Sequence, residues 1–277
     1  MIKSKQMANE NVASETNWWK TLFDQKYLDT YLSDFTPERT SQEVDFVVKA
    51  AQLNPEDRIL DLACGHGRHS IELAKKGFGN ITGVDYSVPF IAKAKEDAKQ
   101  AGVSVEFQTG DMKDLPFEGE YDVVLHLFTA FGYFDNEGNQ QTLHEISEAL
   151  KPGGRYLIDV ISGEAVKRRF QEQGEREKGS NLLKIPRRAE MGGKMVDEVE
   201  WFNPEKQLIH THREWDEDGQ KKEYDYYLRV YTIPQYKEML SEAGLEFKEL
   251  WGDFKGNPHD TDGNFRTIIL AQKSPVK

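Results

Sequence analysis

Between Arg58 and Val160 the chain alternates short apolar runs with segments of helical period, and this alternation constrains the fold more than any other feature. Arg58–Cys64, Asn80–Asp85, Val103–Gln108, Tyr121–Phe128 and Arg155–Val160 are runs of strand length, apolar enough to be buried on both faces. Helical stretches separate them: His69–Lys76 stops at Gly77, Ser87 caps a helix with Pro89 in its first turn, and Asn136–Leu150 precedes a Pro152-Gly153-Gly154 turn. Strands of this kind joined by helices form a parallel sheet covered on both sides.

Flanking segments extend this pattern. Trp18–Leu32 has aromatic and aliphatic residues at helical spacing, and Thr40-x-x-Glu43 has the form of a capping box opening a second helix that Asn54-Pro55 ends. After Val160 the alternation breaks. Ser162–Ser180 is charged and helical or loose, and Lys194–Phe202, Gln207–Asp216 and Lys221–Tyr231 follow as three β segments. Thr232-x-x-Gln235 starts a last helix, and Leu245–Leu250 and Arg266–Gln272 close the chain as strands. The expected fold class is therefore α/β, a doubly wound and mostly parallel seven-stranded sheet with an antiparallel insertion after strand five. The expected division is a flexible tail over 1–17, a core over 18–161 and 232–277, and an inserted lid over 162–231.

Composition narrows the function. The net charge of −12 opposes a phosphate backbone, which argues against nucleic acid as partner. The single cysteine, Cys64, excludes an internal disulfide and suits a reducing compartment. No run approaches the ~20 apolar residues that span a bilayer, and the N-terminus lacks the apolar stretch of a signal peptide. A cytoplasmic protein with no membrane partner is expected, and exposed strand edges in the insertion allow a homodimer.

The densest chemical signal is Asp61-Leu62-Ala63-Cys64-Gly65-His66-Gly67-Arg68, at the junction of the first strand and the next helix. Glycines there permit unusual backbone angles and let the backbone approach a ligand closely. Asp85 follows twenty residues after Gly65, where a strand-end carboxylate can accept both hydroxyls of a ribose, and Tyr86 adjoins it. Gly110-Asp111-Met112 ends the third strand, with an acid able to accept from an adenine amino group and a thioether able to lie on its ring.

In this order, Asp61-x-x-Cys64-Gly65-x-Gly67, Asp85, Gly110-Asp111-Met112 and Leu150-Lys151-Pro152-Gly153-Gly154 resemble the motifs of class I methyltransferases that use S-adenosylmethionine (SAM) and release S-adenosylhomocysteine (SAH). The resemblance covers about Thr40–Val160 and the terminal helix and strands. It implies a Rossmann-like core in which Ala63, Gly65 and Gly67 meet the methionine and ribose parts of SAM, Asp85 the ribose, Asp111 and Met112 the adenine, and Leu127 with Phe128 the methionine. Arg68, next in the turn, either joins the SAM site or caps carbonyls or pairs with a carboxylate of the protein. It also implies an N-terminal aromatic segment with Trp19, Tyr27 and Tyr31 closing over SAM, and an insertion covering a small-molecule acceptor. An NAD(P)-dependent oxidoreductase is the competing reading, but the third glycine of its fingerprint would fall at Ser70. A SAM-binding module without turnover is the alternative outside enzymes.

Methyl transfer from a sulfonium requires alignment and exclusion of water rather than a metal, and no metal site is expected. His126, Tyr133 and His210 are the candidates for a catalytic role. Strand alternation leaves His126 facing either a helix or the pocket. With no evident acid–base pair, nitrogen is slightly favoured over oxygen as the acceptor atom.

Overall fold

The computed structural model describes residues 17–24, 27–28, 35–191, 193–260 and 263–275. The expected tail, apart from Asn17, and the expected contribution of Tyr31 lie outside these residues.

A short helix α1 (Trp19–Leu22) precedes α2 (Pro37–Ala50). The core then runs β1 (Ile59–Leu62), α3 (Arg68–Lys75), β2 (Ile81–Asp85), α4 (Val88–Ala101), β3 (Glu106–Thr109), β4 (Tyr121–His126), α5 (Asn136–Ala149) and β5 (Leu150–Ile161). Helix α6 (Gly163–Gln173) leads into a second sheet of β6 (Glu175–Arg176), β7 (Leu183–Met191), β8 (Lys194–Asn203), β9 (Leu208–Glu217) and β10 (Gln220–Arg229). Helix α7 (Ile233–Glu242), β11 (Leu245–Trp251) and β12 (Arg266–Lys273) return to the first sheet.

That first sheet has the order β11-β12-β5-β4-β1-β2-β3. The pairs among β1 to β5 are parallel, and β12 is antiparallel to both neighbours. Strand order reverses between β4 and β1, so the carboxyl ends of β1, β2 and β4 surround a crevice. Alternate residues face opposite layers: Leu60 and Leu62 pack with Leu143 and Ile146 of α5, while Ile59 packs with Val44 and Val47 of α2. The second sheet is wholly antiparallel, in the order β10-β9-β8-β7-β6.

Three local expectations change. The second helix begins at Pro37, with Thr36 accepting from the Arg39 amide, because proline pre-sets the first-turn angle and threonine caps it. Thr40 and Glu43 therefore lie inside the helix, buried against α3. The 152–154 segment is a bulge within β5 rather than a turn before it: Tyr121 pairs with Leu150 and Val123 with Arg155, and Gly153 takes φ +78°. Strand β7 falls in a stretch to which the sequence pattern assigns no element. It pairs with β8 over its full length but with β6 over only two residues, leaving the open edge where proline is tolerated.

Candidate functional site

The backbone between β1 and α3 turns through three left-handed residues, Ala63 (φ 54°), Gly65 (φ 59°) and Gly67 (φ 77°). The two glycines do different work. A Cβ on Gly65 would find nothing nearer than the Phe90 ring at 3.8 Å, so the space over this residue stays open. A Cβ on Gly67 would meet Phe107 at 2.5 Å and the Ala94 methyl at 2.9 Å, so Gly67 serves the packing of the turn against β3 and α4. Asp85 ties β2 to this bend: one carboxylate oxygen accepts from the Gly65 amide at 2.8 Å, the other from the Ser87 amide at 2.8 Å. Each oxygen has a second lone pair, so both can still accept from a ligand.

These groups wall a cavity of about 180 Å³ at the crevice. Ala63, Gly65, Arg68, Asp85, Tyr86, Asp111, Met112, Leu127 and Tyr27 all line it; Gly67 does not. Asp111 is braced by accepting from the Lys113 amide at 3.0 Å.

One end of the cavity is electrostatically dense. Arg68 lies between the Phe35 and Phe128 rings, 4.8 Å from each centroid, and donates to Glu43 and to the Thr40 hydroxyl. Its second terminal nitrogen is buried with no hydrogen-bond partner. Glu43 also bonds His69 at 3.0 Å. Burial pushes the Glu43 carboxyl up, but the His69 hydrogen bond and the Arg68 charge outweigh it and bring its pKa down to about 2. Burial, then Arg68, lowers His66 and His69 to about 4. Asp61, 1% exposed and accepting from the Ser70 hydroxyl at 2.6 Å, is raised by burial to about 6.

The three catalytic candidates separate. His126 is fully buried, its Nδ1 3.1 Å from the Tyr156 hydroxyl and its ring against Phe131, away from the cavity. His210 is stacked in the second sheet between Trp201 and Tyr227, with Nε2 2.6 Å from Asp225, and is not among the residues lining this cavity. Tyr133 does reach the cavity wall, against Trp18 and Phe23, and burial raises its phenol above the usual range. Around it stand Trp19, Phe23, Tyr27 and Phe134. Phe23 is held there by its carbonyl, which accepts from the Ser87 hydroxyl at 2.6 Å. A second cavity of about 410 Å³ adjoins the first through Tyr27 and is walled by Trp18, Arg213, Trp215 and Tyr224. Phe23, Phe35 and Arg213 carry no sequence signal beyond aromatic or charged character without a motif around it, and Glu43, expected as the acid of a capping box, is instead the partner of Arg68 and His69.

Residues 59–154 match the family model described as a methyltransferase domain. A protein of Geobacillus sp. (strain WCH70) that carries a methyltransferase name is 31% identical over 228 residues, covering 78% of this chain and 84% of that one. The chain belongs to the class I SAM-dependent methyltransferases. The glycine/sarcosine N-methyltransferase of Halorhodospira halochloris is 24% identical, over 91% of this chain and 90% of its own. Among solved structures, the CcbJ methyltransferase from Streptomyces caelestis shares the fold with a TM-score of 0.75 at 21% identity, covering 92% of this chain and 99% of that one.

For this methyltransferase SAM is the methyl donor, and the cavity suits it chemically. The open face of Gly65 and the spare lone pairs of Asp85 present room and acceptors along one wall, and Arg68 places a cation beside them. Among the described residues, no helix is long and apolar enough to cross a membrane.

Proposed function

We propose that this methyltransferase methylates an amine nitrogen of a small organic acceptor. The observation that carries the reading is the rim of the cavity, where Trp19, Phe23, Tyr27, Tyr133 and Phe134 supply aromatic surface while the cavity's histidines are weak bases. A hydroxyl acceptor needs a base matched to neutral pH, whereas a neutral amine attacks through its own lone pair. Aromatic faces also accommodate the cationic groups at such a centre. The relationship to a glycine/sarcosine N-methyltransferase agrees with this choice.

SAM, when bound, supplies the sulfonium methyl. In this reading Asp85 accepts from the ribose hydroxyls, Asp111 and Met112 hold the adenine, and Ala63, Gly65 and Leu127 offer backbone to the methionine part. Arg68 supplies the positive charge at the carboxylate end. Residues 162–231 form a lid on the core of 18–161 and 232–277, and the cavity beside Tyr27 takes the body of the acceptor. Trp215 and Tyr224 stack on it there. The overall negative charge sets the protein against nucleic acid as acceptor.

The test is methyl transfer from SAM to matched panels of small amines and phenols, with products identified by mass. Methylated amines are expected, with Trp215→Ala and Tyr224→Ala raising the acceptor KM while SAH affinity holds. Phenols methylated in preference to amines would overturn the reading.

A further inference from the structure

The loop that follows β4 carries a feature the cofactor motifs do not explain. Phe128 and Thr129 both take left-handed backbone, φ 67° and 62°. Two consecutive non-glycine residues in this region are uncommon and persist only when their surroundings over-determine them. Here the surroundings are one residue of β5. The Phe128 amide donates to the Asp159 carboxylate at 2.9 Å, and the Thr129 amide donates to the Asp159 carbonyl at 3.0 Å.

Asp159 is itself completely buried, and its carboxylate takes its charge partner from Arg266 of the neighbouring strand β12, two residues along from the Ile268 that pairs with Asp159. The Arg266 guanidinium in turn lies 5.6 Å from the Phe128 ring centroid and 5.0 Å from that of Phe254. Burial raises the Asp159 carboxyl, and Arg266 and the Phe128 amide oppose the rise. The second carboxylate oxygen has no partner, so this is a costly group to bury unless its position matters.

A trans peptide points its carbonyl opposite to its N–H. With the Phe128 and Thr129 amides both turned onto Asp159, the carbonyls of Leu127 and Phe128 leave on the far side. Leu127 and Phe128 line the cavity, and Asp159 does not. We propose that Asp159, backed by Arg266, is a positioning residue that holds this left-handed pair so that the Leu127 and Phe128 carbonyls face the methionine end of the cleft, where an ammonium can donate to them. The inference rests on the reading that SAM lies in this cavity. It assigns Asp159 no contact with SAM. The same bend also sets the Phe128 ring against Arg68, so one buried carboxylate orients both the acceptors and the cation at that end.

The experiment is calorimetric titration of SAH into the full chain, comparing wild type, Asp159→Asn and the double variant Asp159→Asn with Thr129→Gly. An asparagine can still turn its carbonyl oxygen to the two donors, which meet on one Asp159 oxygen, but it lacks the charge, so the left-handed pair loses part of its support. We expect SAH to bind about tenfold more weakly to Asp159→Asn, as for a lost charge-assisted hydrogen bond. Thr129→Gly in that background should restore part of the loss, because glycine takes the left-handed conformation without a Cβ penalty. A purely structural role would not respond to that glycine. Wild-type affinity in Asp159→Asn overturns the proposal, and so does a loss that Thr129→Gly leaves untouched. Should Asp159→Asn fail to fold, Arg266→Gln carries the same test: weaker SAH binding supports the proposal, and unchanged binding overturns it. Failure of the wild type to bind SAH would instead strike at the cleft assignment itself.

Discussion

Replacing Asp61 by asparagine should stabilise the protein at alkaline pH. The carboxylate stands on β1 in the cavity wall, bonded to Ser70 of α3, and burial raises its pKa from 3.8 to about 6 despite that hydrogen bond and the nearby Arg68 charge. A raised carboxyl binds its proton more tightly in the folded state than in the unfolded one. The associated stability is therefore present below pH 3.8 and lost as pH rises through about 6. At 1.36 kcal/mol per pKa step, keeping Asp61 ionised in place costs about 3 kcal/mol at pH 8. Asparagine has the same shape, can still accept from Ser70 and carries no charge. Over 277 residues an unfolding entropy near 0.6 kcal/mol per kelvin makes 3 kcal/mol worth about 5 °C in Tm. Urea denaturation of both proteins at pH 8 and pH 4.5 is the assay: the advantage of Asp61→Asn should shrink from about 3 to about 1 kcal/mol as the wild-type group protonates. An Asp61→Asn protein less stable than wild type at pH 8, or an advantage independent of pH, would refute the reasoning. A carboxylate kept at such a cost beside the cavity belongs to its chemistry, so the same variant should bind SAH more weakly.

Glu43→Gln should lose about 3 kcal/mol of stability at pH 7 by urea denaturation, since it leaves Arg68 buried without its counter-charge. Because the Glu43 pKa is depressed from 4.5 to about 2, that contribution is complete above 4.5 and disappears as pH falls toward 2, so the two proteins should converge in acid. Gly67→Ala should destabilise by about 3 kcal/mol, measured the same way, as its Cβ meets Phe107 and Ala94 at a left-handed position. Tyr133→Phe should keep kcat within about threefold of wild type from pH 7 to 9, because a phenol raised by burial is a poor proton acceptor; a hundredfold loss would make Tyr133 a direct participant.

The strand and helix order was legible from local pattern. Continuous apolar runs of strand length, the Ser87 and Thr232 caps and the glycine bend all act within a few residues, and the structure has each of them. The capping box expected at Thr40 failed because two competing local signals stood four residues apart, and Pro37 with Thr36 prevailed. His126 shows a different limit. Alternation along β4 leaves two faces, and only the packing of Phe131 and Tyr156 shows which one this side chain occupies.

What this chain determines by itself is the run of its elements and the convergence of strand ends at one crevice, because hydrophobic period and backbone angles are properties of neighbouring residues. Which side chains meet there was decided by tertiary structure. Glu43 reaches Arg68 across 25 residues, and Arg266 reaches Asp159 across 107. Such pairs depend on sheet register and helix rotation, which no short stretch of sequence contains.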